Sequence, residues 1–168
     1  GLLLHHLTRK DDPQIEAALQ VIDRLDADVL LLTDIDWDLK SEALSALNAR
    51  LAHPYPHVLG LKPNSGIPSG LDLNHDGALA GPRDALAYGL YPGQSGMALL
   101  SRLPLGAPRS LTDLLWRDLP GANLPPDLTA EEAALQPLST SGHYIIPVQM
   151  GARTLTLLAY AATPPVFD

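Results

Sequence analysis

Apolar side chains recur at Ile15, Leu19, Ile22 and Leu25, a spacing that gathers them on one face of a helix. Asp12-Pro13 supplies a capping side chain and then the residue best suited to the first helical position. A helix is therefore predicted over Pro13–Leu25, with Asp26-Ala27-Asp28 ending it. Val29 to Leu32 follows as an unbroken apolar run, which predicts a strand buried on both faces. Ser41 is expected to cap a second helix whose apolar stripe is Leu44, Leu47 and Leu51.

From His53 to Gly93 proline and glycine interrupt every pattern, and only His57 to Leu61 predicts a strand. With no flexible Gly/Ser tract and no charge run, this reads as a long decorated loop rather than a linker. Gly96 to Arg102 predicts a further strand. Thr129 and Glu132 stand at capping-box spacing and predict a short helix. HYIIPVQM and TLTLLAYAA flank Gly151-Ala152 and predict a β-hairpin. Helix, buried strand, helix, then strands joined by long loops describes an α/β sandwich, not a doubly wound parallel sheet. No internal repeat is present.

At 168 residues, 46% of them hydrophobic, the chain is expected to form one domain over 1–168 with a real core. Its apolar runs are too short to span a bilayer, and no signal-peptide pattern opens it. Nineteen acidic residues face eleven basic ones, for a net charge of −8. Proteins that grip long nucleic acids supply cations to displace counterions, so bulk nucleic acid is a poor partner unless a metal provides the positive charge. The absence of cysteine excludes disulfides and thiolate chemistry and leaves the compartment open.

Two acidic stretches carry candidate chemistry. TDIDWD follows the first strand, and if extension continues, Asp34, Asp36 and Asp38 point to one side. Carboxylates leaving a strand end suit a hard cation; the alternative is a solvated acidic strand exit. DLNHDG, Asp72 to Gly77, places Asp72, Asn74 and Asp76 at the first, third and fifth positions of a calcium loop, with glycine at the sixth. Its twelfth position is Arg83 rather than glutamate, with Asp84 one residue later. Pro63, Pro68 and Pro82 argue against flanking helices, so this is no EF-hand module. A single calcium-binding loop and an Asx-turn cluster that satisfies its own backbone both remain open.

Other residues offer less. His5 and His6 are structural or surface residues, and Pro54 and Pro56 break the helical spacing of His53 and His57. Ser101 lacks a nucleophile elbow. Trp37 and Trp116 read as packing residues, and Arg83 as a phosphate contact or a partner of Asp84. His143, opening the hairpin, is either a phosphate-contacting donor or a strand-end cap.

The segment QIEAALQVIDRLDADVLLLTDID resembles the helix and strand that open endonuclease/exonuclease/phosphatase proteins, which include pancreatic deoxyribonuclease, sphingomyelinases and inositol phosphatases. Their strand ends in Gln-Glu, whose glutamate binds catalytic magnesium; here the pair is Thr33-Asp34. GMALLSRLPL is similar to the family's glycine–apolar–Ser–Arg–x–Pro strand, and the closing hairpin to its paired strands. LLWRDLPGA and ATPPVFD are similar to stretches of a bacterial subgroup. The resemblance implies a deoxyribonuclease-like α/β sandwich, a mixed sheet with flanking helices, and metal-assisted hydrolysis of a phosphodiester or phosphomonoester. It implies Mg2+ or Mn2+ at Asp34, with Asp36 as a lesser ligand and His143 near the phosphate.

The chain also departs from the family. The family's first strand, with its metal-binding asparagine, would precede GLLLHH, and its Gly-Asp-x-Asn and final Asp-His motifs would follow Asp168. Ala161 stands where the second hairpin strand carries a histidine. These departures predict a partial sandwich, incomplete at both ends and inactive as this chain. The competing expectation is a non-catalytic domain that binds calcium at Asp72, Asn74 and Asp76, or a ligand in the cleft. A small soluble phosphate ester is the expected substrate, and an exposed sheet edge predicts self-association.

Overall fold

The computed structural model of the protein describes residues 2–9 and 12–162; Thr163 to Asp168, which hold most of the ATPPVFD stretch, lie outside them. Among the described residues four α-helices, α1 (Leu2–Thr8), α2 (Pro13–Leu25), α3 (Glu42–Ala49) and α4 (Ala130–Ala133), accompany six strands. The strands are β1 (Val29–Ile35), β2 (His57–Leu61), β3 (Gly96–Ser101), β4 (Arg109–Ser110), β5 (His143–Met150) and β6 (Arg153–Tyr160). They form two antiparallel sheets, ordered β1-β3-β2 and β4-β5-β6. The α/β sandwich expected from the sequence is the architecture found.

Two apolar layers hold it together. On one face of the first sheet, Ile15, Leu19 and Ile22 of α2 and Leu44 and Leu47 of α3 pack with Ala98, Leu100, Leu30 and Leu32. On the other face, Leu61, Met97 and Leu99 meet Tyr144, Ile146 and Ala159 of the second sheet. Each fully buried leucine or isoleucine contributes about 1.5–3 kcal/mol from its removal from water. The central strand, β3, is buried along its whole length. The apolar run of β1 is covered on both faces, as its lack of alternation implied, by helices over Leu30 and Leu32 and by the second sheet over Val29 and Leu31. Its partial exposure comes from lying at the sheet edge.

Two details depart from expectation and a third meets it. α1 has no clear sequence signal; tertiary contacts hold it, with Arg50 Nη1 donating to the Leu7 carbonyl at 3.3 Å and His6 Nδ1 2.8 Å from Asp12 Oδ2. Ser41 makes no side-chain cap on α3. Asp38 caps it instead, accepting from Lys40, Glu42 and Ala43 N–H at 3.1, 2.8 and 3.0 Å. The Thr129–Glu132 capping box of α4 forms as the spacing predicts.

The excursion between β2 and β3 folds around Asp84, only 2% exposed. Its carboxylate accepts from Leu73 N–H at 3.0 Å and Gly81 N–H at 2.9 Å. Its carbonyl accepts from Ser69 N–H at 3.0 Å and the Ser69 hydroxyl at 2.5 Å. Asp84 thus replaces the ladder bonds that a proline-rich segment cannot make, and among the described residues it forms no ion pair with Arg83.

Candidate functional site

β1 ends in a bulge. Thr33 pairs with Met97 and Ile35 with Gly96, leaving Asp34 as the extra residue, at φ +56°. Such an insertion breaks the alternation of a strand and re-aims the residues after it. Ile35 accordingly joins the helix-side core, although uninterrupted alternation would place it with Leu31. The expectation that Asp34, Asp36 and Asp38 share one side fails for this reason.

The three carboxylates hold different posts. Asp34 is exposed and has no hydrogen-bond or ion-pair partner among the described residues. Asp36 is half-buried: its Oδ2 accepts from Leu3 N–H at 3.1 Å and its Oδ1 from the Tyr91 hydroxyl at 2.7 Å. Asp38 is the cap of α3. Burial opposes its ionisation, but the N–H donors of Glu42, Ala43 and Lys40 together outweigh burial and hold the carboxyl below its ordinary value.

Around this strand end stand Trp37, Lys62 and the junction between the sheets. Trp37 N–H donates to the Gly93 carbonyl at 2.7 Å, and its ring lies over Gly60, where a Cβ would come within 3.2 Å of the indole. Lys62 Nζ sits 5.7 Å from the Trp37 ring centroid. The Lys62 carbonyl accepts from the Tyr144 hydroxyl at 2.6 Å. Asn64 Nδ2 ties the same segment to the Thr112 and Ser139 carbonyls at 2.9 and 2.8 Å.

His143 lies elsewhere. Along β5, Tyr144, Ile146 and Val148 are buried while His143, Ile145 and Pro147 alternate outward. The imidazole therefore occupies the outer face of the second sheet, 5.2 Å from the Tyr160 ring, beside an apolar hollow lined by Leu111, Leu114 and Leu158. It is not brought to the Asp34 strand end. Ala161 has only a methyl group and a carbonyl, which takes the Ser141 hydroxyl at 2.8 Å.

In the Asp72–Gly77 loop the oxygens turn on their own backbone. Asp72 accepts from Asp76 N–H at 3.0 Å and Gly77 N–H at 2.8 Å. Asn74 Nδ2 donates to Asp76 Oδ2 at 2.9 Å, and Ala78 N–H to Asp76 Oδ1 at 2.9 Å. The Asn74 amide first, and then the Ala78 N–H, hold the Asp76 carboxyl below its ordinary value. His75, at φ +58°, reaches across to α4, its Nε2 3.3 Å from Glu132 Oε1. Ser101 is likewise committed locally, its hydroxyl donating to the Leu103 carbonyl at 2.7 Å.

The sequence model of the Endonuclease/Exonuclease/phosphatase family matches residues 5–164, nearly the whole chain. The chain belongs to that family. No curated protein and no solved structure gives a match. Members of this family are in general metal-dependent hydrolases of phosphate esters and nucleic acids. Among the described residues, no helix is long and apolar enough to cross a membrane.

The donor set at the strand end can be weighed against the divalent ion such members use. Among the described residues no three His, Cys, Asp or Glu side chains converge on one point, so a closed protein cage is absent there. Magnesium does not need one: it keeps several waters and is commonly held by one or two carboxylates together with substrate phosphate. Asp34, a hard oxygen donor without a competing partner among the described residues, suits that mode. Asp36 suits it less, since each of its oxygens already accepts a hydrogen bond.

Sequence reasoning missed Lys62 and Tyr91. Lys62 follows directly on a predicted strand, which is a usable signal. Nothing local marks Tyr91, whose partner lies 55 residues earlier.

Proposed function

We propose that this family member acts on a small phosphate ester, with Asp34 as first ligand of a magnesium or manganese ion. The observation that supports the reading is the exposed Asp34 carboxylate, without a partner among the described residues, on a bulge at the end of β1. A divalent ion held there would polarise a phosphoryl oxygen and offset its charge. Asp36, fixed by Tyr91 and by the N-terminus of α1, adds negative potential beside the site and is the secondary ligand. The net charge of −8 favours a small soluble ester over a long nucleic acid. The family's histidine position is filled by Ala161, so turnover is expected to be slow or absent in this chain. The test is hydrolysis of a phosphodiester and a phosphomonoester with and without Mg2+ or Mn2+. Any metal-dependent turnover should fall at least tenfold in Asp34→Ala, and turnover indifferent to that change would overturn the assignment. His143 is the proposed hydrogen-bond donor to the phosphate from the second sheet; because it faces the far side of that sheet, its role stands only if His143→Ala raises KM.

A second reading is favoured by the ordered oxygens of Asp72, Asn74 and Asp76: a non-catalytic domain in which this loop binds Ca2+ for stability. A calcium-dependent rise in Tm that disappears in Asp72→Ala would support it, and a parent protein indifferent to calcium would remove it. Self-association belongs to either reading. β6 is the outer edge of its sheet, with Leu155, Leu158 and Tyr160 exposed, and concentration-dependent sedimentation would reveal pairing there.

A further inference from the structure

We infer that Lys62 is the phosphate-binding cation of this strand end, an assignment that rests on the reading of Asp34 above. β1 and β2 flank β3, and Thr33 and Leu61 both pair with Met97. Asp34 and Lys62 each follow by one residue, so they leave the same end of the sheet on strands separated by one other. Two inter-strand spacings put their backbones about 10 Å apart, a gap that a lysine side chain and a phosphate group together can span.

The ammonium is available. TDIDWD brings three carboxylates to this end, yet Lys62 forms an ion pair with no carboxylate among the described residues. The face of Trp37 holds it instead, through attraction of a cation to the ring quadrupole. That contact orients Nζ and leaves its charge unneutralised by any carboxylate among the described residues. Asp36 is occupied by Leu3 and Tyr91, and Asp38 by the first turn of α3, which explains why neither carboxylate captures the lysine.

The backbone beneath is fixed. Tyr144 binds the Lys62 carbonyl, Pro63 is fully buried, and Asn64 N–H donates to the Thr140 carbonyl at 2.8 Å. Gly142, at φ +87°, lets the second sheet approach, since a Cβ there would come within 3.2 Å of the Lys62 carbonyl oxygen. An exposed cation on a rigid junction, near a carboxylate without a partner among the described residues, is what recognition of a metal-associated phosphate requires.

Trp37 provides a readout independent of turnover. In a Trp116→Phe background, with EDTA and at constant ionic strength, iodide quenching of Trp37 reports the local positive charge and acrylamide quenching reports exposure alone. Lys62→Gln should lower the iodide constant about twofold and leave the acrylamide constant unchanged; Lys62→Arg should keep the parent behaviour. Inorganic phosphate should protect Trp37 from iodide, saturably, in the parent and in Lys62→Arg but not in Lys62→Gln. Absence of protection in the parent, or equal protection in Lys62→Gln, would overturn the assignment. Protection without any metal-dependent hydrolysis would sustain Lys62 and count against the hydrolase reading alone.

Discussion

The Tyr91 hydroxyl donates to Asp36 Oδ1 at 2.7 Å across 55 residues of sequence, fastening the end of the proline-rich excursion to the exit of β1. Asp36 is thereby a structural anchor whatever else it does. Tyr91→Phe leaves a half-buried carboxylate oxygen without its donor, a loss worth about 1–3 kcal/mol. Urea denaturation should show that drop in stability with an unchanged m-value, since the same surface is exposed on unfolding. A change below about 0.3 kcal/mol would mean that water replaces the phenol at no cost.

Asp38 makes a pH-dependent contribution through α3. Its carboxyl is held below the ordinary value in the folded protein, so its stabilisation is present above the unfolded pKa, about 3.9. It is lost as pH falls through the lower folded value. Asp38→Ala should cost about 1–2 kcal/mol at pH 7, as lost caps do. The difference between parent and variant should shrink steadily below pH 4. A gap that stayed constant down to pH 2 would show that the cap does not depend on charge.

The elements that were legible in the sequence carry local signals. Asp12-Pro13 begins α2, Thr129 and Glu132 box α4, and Gly151-Ala152 turns the hairpin, each by chemistry within a few residues. The unbroken apolar run of β1 correctly implied cover on both faces, but no local feature encodes which strand lies at an edge. The site was legible only as a place. Alternation along TDIDWD implied a shared side, and a bulge paired against Gly96 undid it. Ser41 has the composition of a cap, yet Asp38 outcompetes it because a charged acceptor can serve three N–H groups at once. Asp36–Tyr91 and Lys62–Trp37 join segments whose proximity is set by tertiary packing.

Two glycines with positive φ separate backbone strain from steric exclusion. Gly93 stands at φ +95°, and a Cβ there would lie 2.3 Å from the Trp37 carbonyl oxygen. Gly77 stands at φ +87° with open space around it. Gly77→Ala should cost only the left-handed conformation, about 1–2 kcal/mol. Gly93→Ala must also displace backbone beside Trp37, so it should cost about 3 kcal/mol or more and shift the Trp37 emission. Equal losses at the two positions would show that the Gly93–Trp37 contact relaxes freely.

The Asp72–Gly77 loop tests whether its oxygens are reserved for a cation or already spent. Both Asp72 oxygens accept backbone hydrogen bonds, so calcium binding would require them to be shared or exchanged. Without calcium, Asp72→Ala should therefore speed amide hydrogen exchange at Asp76 and Gly77, while global stability changes little because the loop is at the surface. Adding calcium to the parent separates the alternatives. An ion that replaces these bonds would alter exchange at those two amides and raise Tm together. Self-satisfied turns would show protection at both amides that calcium leaves untouched, with the loop closed on His75 and Glu132 in either condition.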